Sequence, residues 1–403
     1  MENSSACPDC GNNPVPHALN WYFESVNVLF TPLRRALIYN RFSKWAVNFT
    51  FDRIKLGEIF LKIAIFFKII RLKSNRLLCE NHRAFVLWEE AEKRGINISE
   101  MFLFGRSLDA YIAEKDGKKI IFSGLPRPDS SDPELVDIMD DKSILKKQFL
   151  SSNIPVANGG CASSFRQALK IFEQIQKPVI VKPRAGSRGR HSNTLIYTEE
   201  EFRRAFYIAK QLCFWVMVEE HLFGPVYRGT VINYELCGVL RGDGPFVVGD
   251  GLHSIKELVA LKNISSDPRV KDIRLNDQTK IFLKRELRHR MKNPEVEVFD
   301  YIPASEEVVS LSEKIGLSYG GSSSEDYEIC HPDTKELFVK ASTVVGDPIV
   351  GFDFIIADIT KSYKEQRCGF IEANSLPFID LHHNPLHGQP RNVASHVWEM
   401  VGF

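Results

Sequence analysis

Two apolar runs near the end of the chain, "IVGFDFIIADI" and "GFIEANSLP", constrain the fold more than any other stretch. Each is short, rich in β-branched and aromatic residues and followed by polar turn residues, which is the pattern of a buried strand. If the two pair as neighbours, Asp353, Glu372 and Asn374 come together. Three oxygen ligands suit a hard cation, and Mg²⁺ is usually held by one or two carboxylates plus substrate phosphates, so the trio already points to a nucleotide.

The chain has 403 residues, 44% of them hydrophobic, enough for two or three packed units with separate cores. With 52 basic and 51 acidic residues the net charge is +1, so no global field favours nucleic acid. Eight cysteines lie scattered without a framework of short spacings, and the N-terminus shows no small-residue cleavage site. A reduced, cytoplasmic protein is expected.

Residues 1–19 read as a flexible tail. Within it Cys7 and Cys10 form half of a zinc knuckle whose second half is missing; His17 would complete only three ligands. The pair therefore reads either as an incomplete metal site or as two free thiols. Residues 20–77 read as a basic, amphipathic helical extension. The run "IFLKIAIFFKIIRLK", interrupted by Lys62 and Lys68, is too short and too charged to span a bilayer. It suits packing on the body of the protein or an oligomer contact, with a membrane surface, bound peripherally through residues 20–76, as the alternative.

Residues 78–135 change to a mixed α/β texture. "HRAFVLWEEAEKRGI" has helical spacing, "SEMFLFG" reads as a strand, and Asp116–Gly117 between two alternating runs signals a tight hairpin. "PRPDSSDP" then reads as a linker. Beyond it, "KPVIVKPRAGSRGR" places Lys182 at a strand end before a loop of small and basic residues, Gly186, Ser187, Arg188 and Gly189. Backbone amides of such a loop can approach phosphate oxygens. No G-K-[ST] follows, so this is not a P-loop. Another strand, "NTLIY", follows the loop, and "VMVEE" ends a later strand on Glu219 and Glu220.

From Asp140 to Phe403 the order of these pieces, with "DDKSILKKQFLSSNIPVANG", "VVGDGLHSIKELVALKN", "SLSEKIGLSYGGSSSEDYEICHPD" and "HHNPLHGQPRNVA", resembles the ATP-grasp superfamily of carboxylate–amine ligases, in its cyanophycin synthetase and bacterial glutathione-ligase branch. The resemblance implies an α/β (α+β) ATP-grasp fold: two mixed α/β subdomains enclosing ATP over residues 140–403, preceded by a small α/β pre-ATP-grasp domain and the helical extension. It implies Lys142 and Lys182 on the nucleotide phosphates, the loop Gly186–Gly189 over them, and Glu219 with the backbone around Glu220 and Leu222 as the adenine hinge. Arg228 would face the transferred phosphoryl group, Arg241 would be a second catalytic arginine, and Asp353, Glu372 and Asn374 would hold Mg²⁺ (or Mn²⁺). Ser322 to Ser324 would border the acceptor site, and His382 and His383 read as structural.

What the resemblance implies chemically is ADP-forming ligation of an amino-acid or peptide substrate through an acyl phosphate, by a homo-oligomer that binds no nucleic acid. The departures are also specific. Val226 stands where the family's ribose-binding acid is usual, and His191 where many relatives carry another glycine. No segment resembles the Mur-ligase-like domain of cyanophycin synthetases, so two-step polymerisation is not expected of this chain alone. A degenerate nucleotide-binding or membrane-associated scaffold protein is the alternative.

Overall fold

A computed structural model describes residues 7–10, 15–38, 61, 63–128, 135, 139, 141–185, 189–291, 295–312 and 314–403. Its strands form three larger sheets and one small one.

The first sheet is antiparallel in the order β1 (Ile70–Lys73), β2 (Asn97–Leu103), β3 (Arg106–Lys115), β4 (Lys118–Ser123). Asp116 and Gly117 close β3–β4 with positive φ of 49° and 78°, as the hairpin signal requires. The strand β1 corrects the sequence expectation: the end of the run expected to be helical is an edge strand paired with β2, Ile70 opposite Leu103. Apolar periodicity over so few residues does not separate the two states, and a partner strand decides. The described part of the tail also differs from expectation. Pro8–Cys10 form a single 3₁₀ turn and a helix runs from His17 to Ile38, held where Asn20 Nδ2 donates to Leu212 O at 3.2 Å.

The second sheet has the order β5 (Gly159–Ala162), β8 (Val216–Glu220), β6 (Val179–Pro183), β7 (Asn193–Ile196). Helices Phe165–Gln174 and Glu199–Lys210 cover one face, burying Phe172, Phe202 and Phe206 against Val179, Val181 and Val218. Both helices start at capping boxes, Ser164 with Gln167 and Thr198 with Glu201.

The third sheet is β15 (Cys368–Asn374), β14 (Ile349–Ile356), β9 (Val226–Ile232), β10 (Glu235–Asp243), β13 (Ser322–Glu325), β16 (His387–Gly388). One face packs on helices Lys142–Ser151 and Pro332–Val345 through Phe149, Phe338, Phe352, Phe354 and Phe370. On the other, Ile232, Cys237 and Ile349 meet helices His82–Lys93 and Val393–Met400, where Trp398 Nε1 donates to Leu87 O at 2.9 Å. The first sheet is thus fastened to the third through the end of the chain. Between β10 and β13 a smaller unit is inserted: β11 (Phe246–Val248) paired with β12 (Val308–Ser310), packed on helices Ile255–Ser265 and Asp277–Glu286.

Candidate active site

A buried ionic centre lies where β6, β8 and helix Lys142–Ser151 meet. Ile180 is the register partner of Glu219, which puts Lys182, two residues on, on the same face. The Glu219 carboxylate receives Lys146 Nζ at 2.6 Å on Oε1 and Lys182 Nζ at 2.8 Å on Oε2. Burial by itself would raise the carboxyl, but Lys182 and Lys146 outweigh it and hold it near 2. Lys146 is itself lowered, first by burial, with Glu219 working against the shift. Glu220 turns elsewhere: it accepts Asn158 N at 2.6 Å and an ion pair from Arg367. Leu222 is buried directly after this strand end.

Strand pairing brings the oxygen trio together. Asp353 on β14 is the register partner of Glu372 on β15 and of Arg228 on β9, and Gly351 is that of Asn374. Between the partners of Asp353 and Phe354, β15 carries one extra residue, Ile371, a bulge beside Glu372. Arg228 grips Asp353 in a two-point pair, Nε to Oδ1 at 2.7 Å and Nη2 to Oδ2 at 2.8 Å, and lies over the Phe378 ring at 5.7 Å. Burial opposes the Arg228 charge, while Asp353, Glu372 and Asp380 favour it enough to raise the guanidinium.

Arg241 is not part of this group. Its register partners are Tyr227 and Ser324, so it points to the face opposite Arg228, where its Nε pairs with Asp243 Oδ1 at 2.8 Å. Sequence order could not show this, because one residue of register reverses the face. Lys142 begins its helix one turn before Lys146, and of the two it is Lys146 that reaches Glu219. Reading the sequence missed Lys146, since a second lysine one turn along a helix looks like an exposed charge; the i, i+4 spacing was the available signal. Gly186, Ser187 and Arg188 lie outside the described residues. Both ends of their loop are described: Arg184 pairs with Asp141 at 2.7 Å, and Gly189 takes φ of 61°. Ser322 to Ser324 form most of β13. His382 is fully buried, with Nδ1 2.5 Å from Glu325 and Nε2 2.7 Å from Thr230.

Beyond Phe378 a cleft of about 490 Å³ opens, lined by His82, Arg83, Glu100, Asp109, Tyr111 and Asp380 among others. Glu100 is 2% exposed, and among the described residues its Oε2 and Asp380 Oδ1 have no hydrogen-bond partner. Burial pushes the Asp380 carboxyl up.

No protein-family model matches the chain. It is 28% identical over 328 residues to the glutathione biosynthesis bifunctional protein GshAB of Clostridium perfringens, an alignment covering 78% of this chain and 40% of that protein. It is 29% identical over 269 residues to cyanophycin synthetase of a Synechocystis strain, covering 66% of this chain and 30% of that one. The chain therefore spans less than half the length of these curated relatives. Among solved structures, a bifunctional glutathione synthetase from Pasteurella multocida matches with a TM-score of 0.53 at 24% identity, over 79% of this chain and 43% of that one, and shares its fold.

Proposed function

We propose that the chain is an ATP-grasp enzyme on the branch of its glutathione- and cyanophycin-forming relatives, an ATP-dependent, ADP-forming carboxylate–amine ligase. The observation that carries this reading is the register that sets Asp353 between Arg228 and Glu372. A carboxylate has about four lone-pair positions, so Asp353 can keep Arg228 and still offer an oxygen to a cation. With Glu372 and Asn374 the donor set is all oxygen, which fits Mg²⁺ or Mn²⁺. When bound, such an ion neutralises charge on the transferred phosphoryl group.

The residues of the chain then have separable roles. Lys182, Lys146 and Lys142 face the nucleotide side, with Glu219 orienting two of them; the backbone from Glu220 to Leu222 receives the base. Arg228 stabilises the charge that develops as phosphate passes to a substrate carboxylate. Val226 leaves the ribose without its usual acid. Arg241, on the opposite face, is removed from the proposed catalytic set. The cleft beyond Phe378 carries acids for an ammonium group, Glu100 and Asp380, and His82 and Arg83 for a carboxylate, which fits an amino acid or a short peptide.

Incubating the protein with ATP, Mg²⁺ and pooled amino acids and dipeptides tests this. ADP and phosphate released only with an acceptor, together with a product whose mass equals the two substrates less water, is the expected result. Nucleotide binding without turnover in any pool would overturn ligation and leave the scaffold reading.

A further inference from the structure

Three residues of the N-terminal segment and His191, just before β7, are arranged as a metal centre. Cys10 Sγ stands 3.3 Å from His17 Nε2 and 3.4 Å from His191 Nε2, and Cys7 Sγ is 3.5 Å from the same His191 nitrogen. All four ligand atoms lie within 4.8 Å of one another. Around a tetrahedral ion with metal–sulfur bonds of about 2.3 Å and metal–nitrogen bonds of about 2.0–2.1 Å, ligand atoms stand roughly 3.3–3.8 Å apart. The observed spacings are already close to that. We infer that Cys7, Cys10, His17 and His191 bind one Zn²⁺ ion, which clamps the N-terminal segment to the downstream end of the loop that follows β6.

The surroundings suit this assignment. Cys10 and His191 are fully buried. His191 Nδ1 lies 2.8 Å from Ile208 O, which fixes the ring and leaves Nε2 turned to the thiols, the usual outer support of a ligating histidine. His191 N donates to Asp9 O at 2.9 Å, and Gln278 Nε2 donates to Asp9 Oδ1 at 2.9 Å, so the turn between the cysteines has hydrogen bonds of its own. His191 keeps φ of 53°, a conformation glycine would take more easily. Two thiolates with two imidazoles in a tetrahedron select zinc over magnesium or calcium. The second half that the knuckle lacks in sequence is supplied by His17 and by a residue 181 positions beyond Cys10.

The test uses the full chain, purified reduced and without chelator. Elemental analysis should find about one zinc per chain, released in step with titration of thiols by a mercurial. The Co²⁺-substituted protein should show sulfur-to-cobalt charge transfer and intense d–d bands of a tetrahedral site. Cys10→Ser and His191→Ala should each weaken zinc retention at least roughly tenfold and lose the cobalt spectrum, while Cys79→Ser keeps both. Folded, reduced wild type that holds no zinc and gives only a pale octahedral cobalt spectrum would overturn the inference even if the variants fail to fold. So would full zinc retention in both variants, or a Cys7–Cys10 disulfide as the resting state. Zinc without ligation leaves it standing, because it rests only on the ligand positions.

Discussion

At the scale of single residues the site is a set of buried charges that hold one another. Glu219 stays ionised because two lysines offset the cost of its burial. Lys146→Ala should therefore both destabilise the protein and raise KM for ATP, since it leaves Glu219 half-neutralised. Melting curves beside ATP-dependent kinetics separate the two effects. The Arg228–Asp353 pair gives a second contrast. Asp353→Asn should lower acceptor-dependent ATP turnover by about 10²–10³-fold, and Arg228→Met should cost about 3–5 kcal/mol in denaturant unfolding, because it strands a buried carboxylate. Wild-type turnover in Asp353→Asn would remove the metal assignment. Lys182, Glu219 and Asp353 were legible in the sequence because each ends or interrupts an apolar run; Lys146 was not, because its burial depends on the sheet above it.

Among the elements, β9 is the strand that positions the site. Its faces alternate, so Arg228 is held toward Asp353 while Tyr227, Gly229 and Val231 turn to the helix Pro332–Val345. Gly229 is required there by close approach: a Cβ would stand 2.4 Å from Phe338 Cδ1. Gly229→Ala should cost about 1–3 kcal/mol and disturb Arg228 through the same strand, seen as lower stability together with lower turnover. Unchanged stability would mean that Phe338 has room to move. That "PVIVK" and "VMVEE" are strands was readable from their short apolar runs. That Arg241 faces away from Arg228 was not, because the face follows from pairing register, which no single strand encodes.

For the whole molecule, acid should act in two windows. Burial lowers His221 and His383 from 6.5 to about 4, so the folded state binds fewer protons than the unfolded one and stability falls as pH drops from 6.5 toward 4. Glu219 is depressed from 4.5 to about 2, and its contribution is lost over the next window, as pH falls from 4.5 toward 2. His221→Gln should flatten part of the upper limb and leave the lower one, measured as denaturant midpoint against pH. The sequence by itself determined the local elements, the sheet-forming runs, the hairpin at Asp116–Gly117 and the chemistry on offer near Asp353, because these depend on neighbouring residues. Tertiary structure alone decided which charges meet. It paired Asp353 with Arg228, drew Lys146 onto Glu219, turned Ile70–Lys73 into an edge strand, and brought His191 to Cys7, Cys10 and His17. Each of these joins residues far apart along the chain, and only packing of the sheets fixes such distances. The trio at Asp353, Glu372 and Asn374 shows both parts: composition made it a candidate for a hard cation, and antiparallel register put its oxygens on one face.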